Sequence, residues 1–197
     1  MVCRLYFVYI FLDLFFILSY KNYMKQKIIN KDEMEKIIFR MANKILERNV
    51  DASNLIVIGI KSRGDILAKK IVKKINSIER KKIGTSAIDI TFYRDDVNLK
   101  AYKYVVKHDV QLIIDKKDVI LVDDVIFTGR SIRAALDELI DYGRPNSIQL
   151  AVLIDKGGRE LPIQPDYVGK KINTNYEVSV LFEEVDNEDG VLVNNEK

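Results

Sequence analysis

The stretch Val119-Ile120-Leu121-Val122-Asp123-Asp124-Val125-Ile126-Phe127-Thr128-Gly129-Arg130-Ser131 decides the fold. It opens with four aliphatic residues, a run typical of a buried strand in a parallel sheet. Two carboxylates end the run, and Thr-Gly-Arg-Ser closes the stretch. Beyond it, apolar residues recur at the spacing of a helix: Ile132, Ala135, Leu136, Leu139 and Ile140. The pattern therefore predicts a strand, a loop and a helix.

The loop of this unit has the chemistry of a phosphate site. Ligands of open α/β sheets bind at the carboxyl ends of the strands. The N–H groups from Thr128 to Ser131 would face outward there, the helix dipole adds about half a positive charge, and Gly129 lets the backbone approach closely. Asp123 and Asp124 would accept hydrogen bonds from sugar hydroxyls. The residues favour a sugar-phosphate site; a solvated Asp pair before an ordinary capped helix is the alternative. Without a Gly-Lys-Ser/Thr ending, the loop is not a P-loop.

The composition is that of one globular α/β domain. The chain has 197 residues, 48% hydrophobic and 31% charged, which allows a sizeable core. Its net charge of +3 is too small to imply a polyanionic partner on its own. The only cysteine, Cys3, excludes an intrachain disulfide and fits a reducing cytoplasm. The only histidine, His108, excludes a histidine cluster, and we assign it no role.

Residues 1–23 differ from the rest of the chain. Residues 5–18 are mostly aromatic and aliphatic, but a bilayer span needs about 20 apolar residues, and Asp13 interrupts the run. Arg4 precedes the run as in a signal peptide, yet no small-residue cleavage site follows. We predict a hydrophobic leader outside the fold, with Met24 as the true start. A membrane-associating tail is the alternative.

A second strand, loop and helix are predicted upstream. The strand is Leu55–Ile60, the loop is Lys61-Ser62-Arg63-Gly64, and the helix carries Ile66, Leu67, Ile71 and Ile75 on its apolar face. Arg63 adds a bidentate donor for phosphate oxygens. Residues 87–93 then alternate as a strand, Arg94 follows, and residues 97–110 are predicted to form a mobile loop.

A helix with a basic face is predicted near the start of the domain. Asp32 would be its N-cap, and the helix would run to about Asn49. Opposite its apolar stripe stands a basic row with a spacing of four residues: Lys36, Arg40, Lys44 and Arg48. A solvated face is the ordinary interpretation of a charge run. No acids alternate with the bases here, so a contact with a polyanion is the competing interpretation.

Taken in order, these motifs resemble type I phosphoribosyltransferases. Within that superfamily the chain resembles the PyrR family of bifunctional pyrimidine-operon attenuators and uracil phosphoribosyltransferases. Besides residues 119–131, the resemblance rests on three segments: Gly59-Ile60-Lys61-Ser62-Arg63-Gly64, Asp89-Ile90-Thr91-Phe92-Tyr93-Arg94-Asp95-Asp96 and Gly143-Arg144-Pro145-Asn146-Ser147-Ile148-Gln149-Leu150-Ala151-Val152-Leu153. It covers residues 24–185 and implies an α/β fold, with a central, mostly parallel sheet flanked by helices and a small hood at about 155–175. Residues 186–197 form an acidic tail, and the chain is predicted to fray from Glu183 onward.

The resemblance also implies a reaction, in which uracil and PRPP give UMP and diphosphate with Mg²⁺ held mainly by PRPP. The catalytic residues would be Asp123, Asp124 and Arg94. The PRPP contacts would be Ser62, Arg63, Asp123, Asp124, Val125, Ile126, Phe127, Thr128, Gly129, Arg130 and Ser131. The base would be contacted by Arg159 and Val168. In the segment Asp155-Lys156-Gly157-Gly158-Arg159-Glu160-Leu161-Pro162 the family pattern has arginine at 156 and histidine at 158. That departure puts in doubt any role of the family histidine.

The partners implied by the resemblance are uracil, PRPP, UMP or UTP, and the leader mRNA of a pyrimidine operon. The basic row would contact that RNA. The protein would be a homodimer or higher homo-oligomer in the cytoplasm, with no stable membrane partner. Two alternatives compete: a phosphoribosyltransferase for another base, such as a purine or orotate, and a non-catalytic sensor of PRPP or nucleotide. Ser62, Arg63 and Arg94 speak against the sensor, because pyrophosphate contacts matter little to a protein that binds only UMP.

Overall fold

The computed structural model describes residues 25–79, 82–91 and 113–194. Its strands are β1 (Lys25–Ile29), β2 (Leu55–Ile60), β3 (Gly84–Ile88), β4 (Asp118–Ile126), β5 (Ser147–Asp155), β6 (Tyr167–Lys171), β7 (Glu177–Leu181) and β8 (Gly190–Asn194). Its helices are α1 (Lys31–Arg48), α2 (Gly64–Glu79), α3 (Arg130–Asp141) and α4 (Glu183–Asp186), with a 3₁₀ turn at Ala52–Asn54.

Five parallel strands form the central sheet, in the order β3-β2-β4-β5-β6. Alternate residues of β4 enter two separate cores. Ile120 and Val122 pack with the apolar faces of α1 and α2, whereas Val119 and Leu121 pack with α3. A strand buried on both faces needs a continuous aliphatic run, which is why this stretch lacks polar alternation. The predicted α/β fold is confirmed, and β4 lies at the centre of the sheet.

A second, antiparallel sheet has the order β1-β8-β7 and joins the two ends of the described chain. The predicted fraying from Glu183 onward is wrong up to residue 194, because β8 pairs on both edges and Val191 and Phe182 are fully buried. The limits predicted for the hood also differ from the structure. Residues Tyr167–Lys171 belong to the central sheet, as its edge strand β6.

Two local predictions need correction. Asn30, not Asp32, caps α1, because its extended backbone lets the side-chain oxygen accept the N–H of Glu33 at 2.9 Å. The strand expected at 87–93 begins earlier, at Gly84, since its ladder with β2 starts there and the described strand ends at Ile88. The leader, Arg94 and the predicted loop 97–110 fall outside the described residues. Within those residues, no helix has the length and apolarity to cross a membrane.

Candidate active site

The predicted carboxylates lie near the carboxyl end of β4, in the middle of the sheet. Asp123 is 8% exposed and pairs with Val152 in the β4–β5 ladder. Its Oδ1 accepts the backbone N–H of Asp124 at 3.0 Å. A buried carboxylate held by a backbone donor has a fixed direction. The pair is therefore part of the strand and not of a mobile loop.

Asp124 is half-buried beside a cation. Burial raises the pKa of its carboxyl, while the backbone N–H of Val125 and the Arg63 guanidinium act in the opposite direction. Arg63 follows β2, the neighbour of β4, and both side chains line one cavity of about 290 Å³. The far wall of that cavity is formed by β7 and the ends of β1 and β8. The structure thus brings together two residues that the sequence placed in separate strand-loop-helix units.

The loop after β4 presents the amino end of α3. Gly129 stands before the helix with φ of 93°, in the left-handed region that suits glycine, and no side chain caps the first turn. The Arg130 N–H lies 3.4 Å from Oγ1 of Thr128, which is long for a hydrogen bond. The leading amides and the helix dipole are therefore available to an anion. Binding of a phosphate at this loop stays a prediction.

Arg159 links the loop after β5 to the loop after β4. Its side chain is 12% exposed, and Nη2 lies 2.6 Å from Oδ1 of Asp155. Its Nη1 donates to the carbonyl oxygens of Phe127 at 2.8 Å and Gly157 at 3.0 Å, and its Nε donates to that of Ile163 at 3.0 Å. Every guanidinium nitrogen is engaged within the protein. The contact of Arg159 with the base stays a prediction, and these bonds indicate that it holds the loop in place.

Val168, the other residue predicted to contact the base, lies on β6. Its Cα partner is Val152, which in turn pairs with Asp123. Two strand spacings of about 4.8 Å therefore separate the backbone of Val168 from that of Asp123. Its contact with the base also stays a prediction.

The Phe127 ring explains the glycine at position 158. Phe127 is 46% exposed, and the Lys156 Nζ lies 4.4 Å from its ring centroid, within cation–π range. A Cβ on Gly158 would lie 2.2 Å from Cε2 of the ring, and Gly158 has φ of +65°. The ring occupies the space of a side chain at 158. Sequence reasoning noted the departure at 158 but had no signal that linked it to Phe127.

The basic row lies exposed on α1, as the sequence predicted. Arg48 forms an ion pair with Asp166 at 2.6 Å, and this bond raises the pKa of its guanidinium. Arg40 and Lys44 border a groove of about 270 Å³ between α1 and β6. Within the described part of the chain, Lys36 and Lys44 form no ion pair. The row therefore keeps cationic groups that are open to solvent.

Comparison with known proteins gives the class and then the family. The phosphoribosyl transferase domain model matches residues 25–187. Among solved structures, a hypoxanthine phosphoribosyltransferase from Staphylococcus aureus superposes with a TM-score of 0.66 at 20% identity, covering 87% of this chain and 93% of that one. The enzyme from Trypanosoma cruzi gives 0.68 at 17% identity, with 87% and 97% covered. At such identities the likeness shows the fold, which is that of a type I phosphoribosyltransferase.

Curated relatives are much more similar in sequence. The bifunctional protein PyrR of Pelotomaculum thermopropionicum is 46% identical over 172 residues, which cover 86% of this chain and 95% of that protein. The PyrR protein of Microcystis aeruginosa is 48% identical over 167 residues, covering 84% and 94%. That of Clostridioides difficile is 46% identical over 172 residues, covering 86% and 97%. The chain belongs to the PyrR family of phosphoribosyltransferases.

Proposed function

We propose that this protein transfers the phosphoribosyl group of PRPP to uracil, giving UMP and diphosphate. The observation that carries the proposal is the cavity that Arg63 shares with Asp124, on the strand that leads into the uncapped amino end of α3. A cation, a carboxylate pair and an anion-binding helix end fit the diphosphate, the ribose and the 5′-phosphate of one substrate. Membership of the PyrR family supports uracil as the base.

The chemistry follows from charge. Breaking the anomeric C–O bond leaves positive charge on the ribose and negative charge on the leaving diphosphate. In the proposed complex the ribose lies beside Asp123 and Asp124, whose carboxylates stabilise the first charge, and Arg63 stabilises the second. The 5′-phosphate on α3 fixes the substrate, so most of the rate comes from positioning and electrostatics. Ser62 and Arg94 complete the proposed contacts to the diphosphate.

Mg²⁺ fits this site as a companion of PRPP. Asp123 and Asp124 offer carboxylate oxygens, the ligand type that Mg²⁺ prefers. Within residues 25–79, 82–91 and 113–194, no three His, Cys, Asp or Glu side chains are grouped to hold a metal. We therefore assign most of the coordination to the diphosphate oxygens of the substrate. The bound ion would neutralise charge on the leaving group.

A direct assay tests the proposed reaction. Protein beginning at Met24 would be given radiolabelled uracil, PRPP and Mg²⁺, with hypoxanthine and orotate in parallel reactions. UMP formation with uracil alone is the expected result. Product from another base instead would support the competing phosphoribosyltransferase. UMP binding without turnover of any base would support a sensor that keeps the site and has lost the chemistry.

The second proposed activity is binding of pyrimidine-operon leader mRNA in the cytoplasm, under the control of UMP or UTP. The exposed row of Lys36, Arg40, Lys44 and Arg48 supports it, because cationic side chains neutralise RNA phosphates. RNA specificity resides mainly in unpaired loops and bulges. A homodimer would present two such rows to one RNA hairpin.

Replacing Arg40 and Lys44 together with alanine is expected to weaken RNA binding about tenfold or more. Loss of two phosphate contacts should also reduce the slope of log affinity against log salt by about 1.4 to 1.8. Filter binding across a salt series measures both quantities. UMP formation should survive, since neither side chain lines the cavity of Arg63 and Asp124.

The matched control is replacement of Lys69 and Lys73 with alanine. Both are exposed cations four residues apart on α2. This variant changes the net charge equally, so a general charge effect would lower RNA affinity in both proteins. An unchanged RNA affinity in the Arg40 and Lys44 variant would exclude the row as the contact surface.

A further inference from the structure

The Arg63 guanidinium is held by a carboxylate from the far end of the chain. Its Nη2 donates to Oδ1 of Asp186 at 2.8 Å, across 123 residues of sequence. The Arg63 side chain is 35% exposed and that of Asp186 is 19% exposed. In the described part of the structure Nε of Arg63 has no hydrogen-bond partner. The Asp186 contact therefore sets the direction of the guanidinium.

Asp186 is itself fixed. Its Oδ2 accepts the backbone N–H of Phe182 at 2.9 Å, and its own N–H donates to the Phe182 carbonyl oxygen at 2.7 Å. Phe182 is fully buried, so this end of α4 is anchored in the core. With both carboxylate oxygens engaged, Asp186 has little rotational freedom. It offers Arg63 a rigid point of attachment.

The segments that carry Arg63 and Asp186 are joined by ion pairs. Lys70 on α2 forms ion pairs with Glu184 at 3.0 Å and with Asp189 at 3.3 Å, which tie the segment around α4 to α2. Helix α2 begins at Gly64, directly after Arg63. These ion pairs therefore resist a displacement of α4 away from the loop that carries Arg63.

We propose that Asp186 is a positioning residue for PRPP, which aims the Arg63 guanidinium at the diphosphate. This inference rests on the proposed function. A guanidinium carries five N–H donors, and the Asp186 contact occupies only one of its three nitrogens. Long side chains act well on a ligand only when neighbours hold them within about 0.5 Å of the productive position. Asp186 supplies that hold and leaves donors for phosphate oxygens.

A second effect of the Asp186 carboxylate would weaken PRPP binding. The Asp186 carboxylate also neutralises part of the Arg63 charge and repels a phosphate nearby. If repulsion were the larger effect, removal of the charge would tighten PRPP binding. If positioning is larger, removal weakens binding. The direction of a single measured change therefore separates the two effects.

Asp186→Asn removes the charge but keeps the size of the side chain and an oxygen for the Phe182 N–H. Isothermal titration of the full-length protein with PRPP and Mg²⁺ should show Kd about tenfold higher, the loss expected for one charge-assisted hydrogen bond. The KM for PRPP should rise in parallel, with the KM for uracil unchanged within about twofold. Glu184→Gln is the matched control. It breaks one of the two ion pairs of Lys70, leaves the Lys70–Asp189 pair that still ties this segment to α2, and does not touch Arg63, so it should bind PRPP like the wild type.

A double variant makes the test specific to the contact. Adding Asp186→Asn to Arg63→Ala should cause no further loss of affinity, because residues that act through one contact are not additive. Tighter or unchanged binding by Asp186→Asn alone, or an equal loss in Glu184→Gln, would overturn the proposal. The titration requires no turnover. Protein that binds PRPP with the expected coupling but does not convert uracil would therefore overturn the proposed reaction alone.

Discussion

Asp124→Asn is expected to lower the rate of UMP formation by about 10²- to 10³-fold and, at the same time, to stabilise the fold. The rate falls because the variant loses negative charge beside the developing ribose cation, and removal of one such electrostatic contact costs about this factor in other enzymes. The neutral amide keeps the shape of the side chain. A folded but nearly inactive protein is therefore the expected outcome.

The gain in stability follows from the direction of the pKa shift. Burial raises the pKa of Asp124 above its ordinary value of 3.8. The stability that Asp124 contributes is thus fully present below the pKa that its carboxyl has in the unfolded chain. It is lost as pH rises through the higher pKa of the same carboxyl in the folded protein. Asparagine does not ionise. The melting temperature of the asparagine variant should exceed that of the wild type only slightly near pH 4, and the difference should grow as pH rises through the raised pKa of Asp124.

Asp118→Asn is the control on the same strand. Asp118 is also half-buried, accepts the Ser147 hydroxyl at 2.8 Å and starts β4 at the end remote from the site. It should keep UMP formation within about twofold. Calorimetry from pH 4 to 8 and a radiolabelled uracil assay measure the two effects. An Asp124→Asn protein that keeps a third of its activity, or that melts lower at neutral pH, would contradict the electrostatic account.

The sequence was sufficient for β4 and its loop because their signals are local. The strand is buried on both faces, so its aliphatic run is uninterrupted, and the Asp pair marks where the run meets the edge of the sheet. Gly129 and the helical spacing after Ser131 mark the start of α3. Neighbouring residues fix each of these features. A pattern of adjacent residues therefore predicted both the central strand and the proposed phosphate site.

Features that depend on distant residues could not be predicted in this way. Strand β8 has only three aliphatic residues after an acidic segment, and it forms because β1 and β7 pair with its two edges. The partner of Arg63 is 123 residues away, and the Phe127 ring meets Gly158 across two loops. Arg159 was predicted to contact the base, and that contact stays a prediction. Sequence alone did not indicate that each of its guanidinium nitrogens is engaged within the protein.

Gly59→Ala is expected to destabilise the protein by about 3 kcal/mol or more, in the range of severe overpacking. A Cβ at this position of β2 would lie 2.3 Å from Cα of Asp65 and 2.5 Å from the Gly64 carbonyl oxygen. All the nearest atoms belong to the backbone, so no side chain can rotate away. The first turn of α2 would have to move off the sheet. Thermal unfolding should show a melting temperature about 6–12 °C lower.

Gly84→Ala separates this close approach from the general effect of alanine in a strand. Gly84 lies on β3, next to β2, and the nearest atom to its Cβ would be Cγ1 of Ile56 at 4.0 Å, an ordinary contact. Its free energy of unfolding should change by no more than about 0.5 kcal/mol. Equal losses in the two variants would show that the close approach of α2 to Gly59 does not explain the cost.

Displacement of the first turn of α2 in Gly59→Ala should also disturb the proposed active site. Gly59 and Gly64 bracket the loop that carries Arg63, so moving the first turn of α2 moves the guanidinium away from Asp124 and Asp186. A misplacement of about 1 Å can reduce catalysis by about 100-fold. At a temperature where Gly59→Ala is still folded, its KM for PRPP should rise while that of Gly84→Ala does not. A normal KM in a destabilised protein would mean that the loop keeps its position without α2, and the glycine would then serve stability alone.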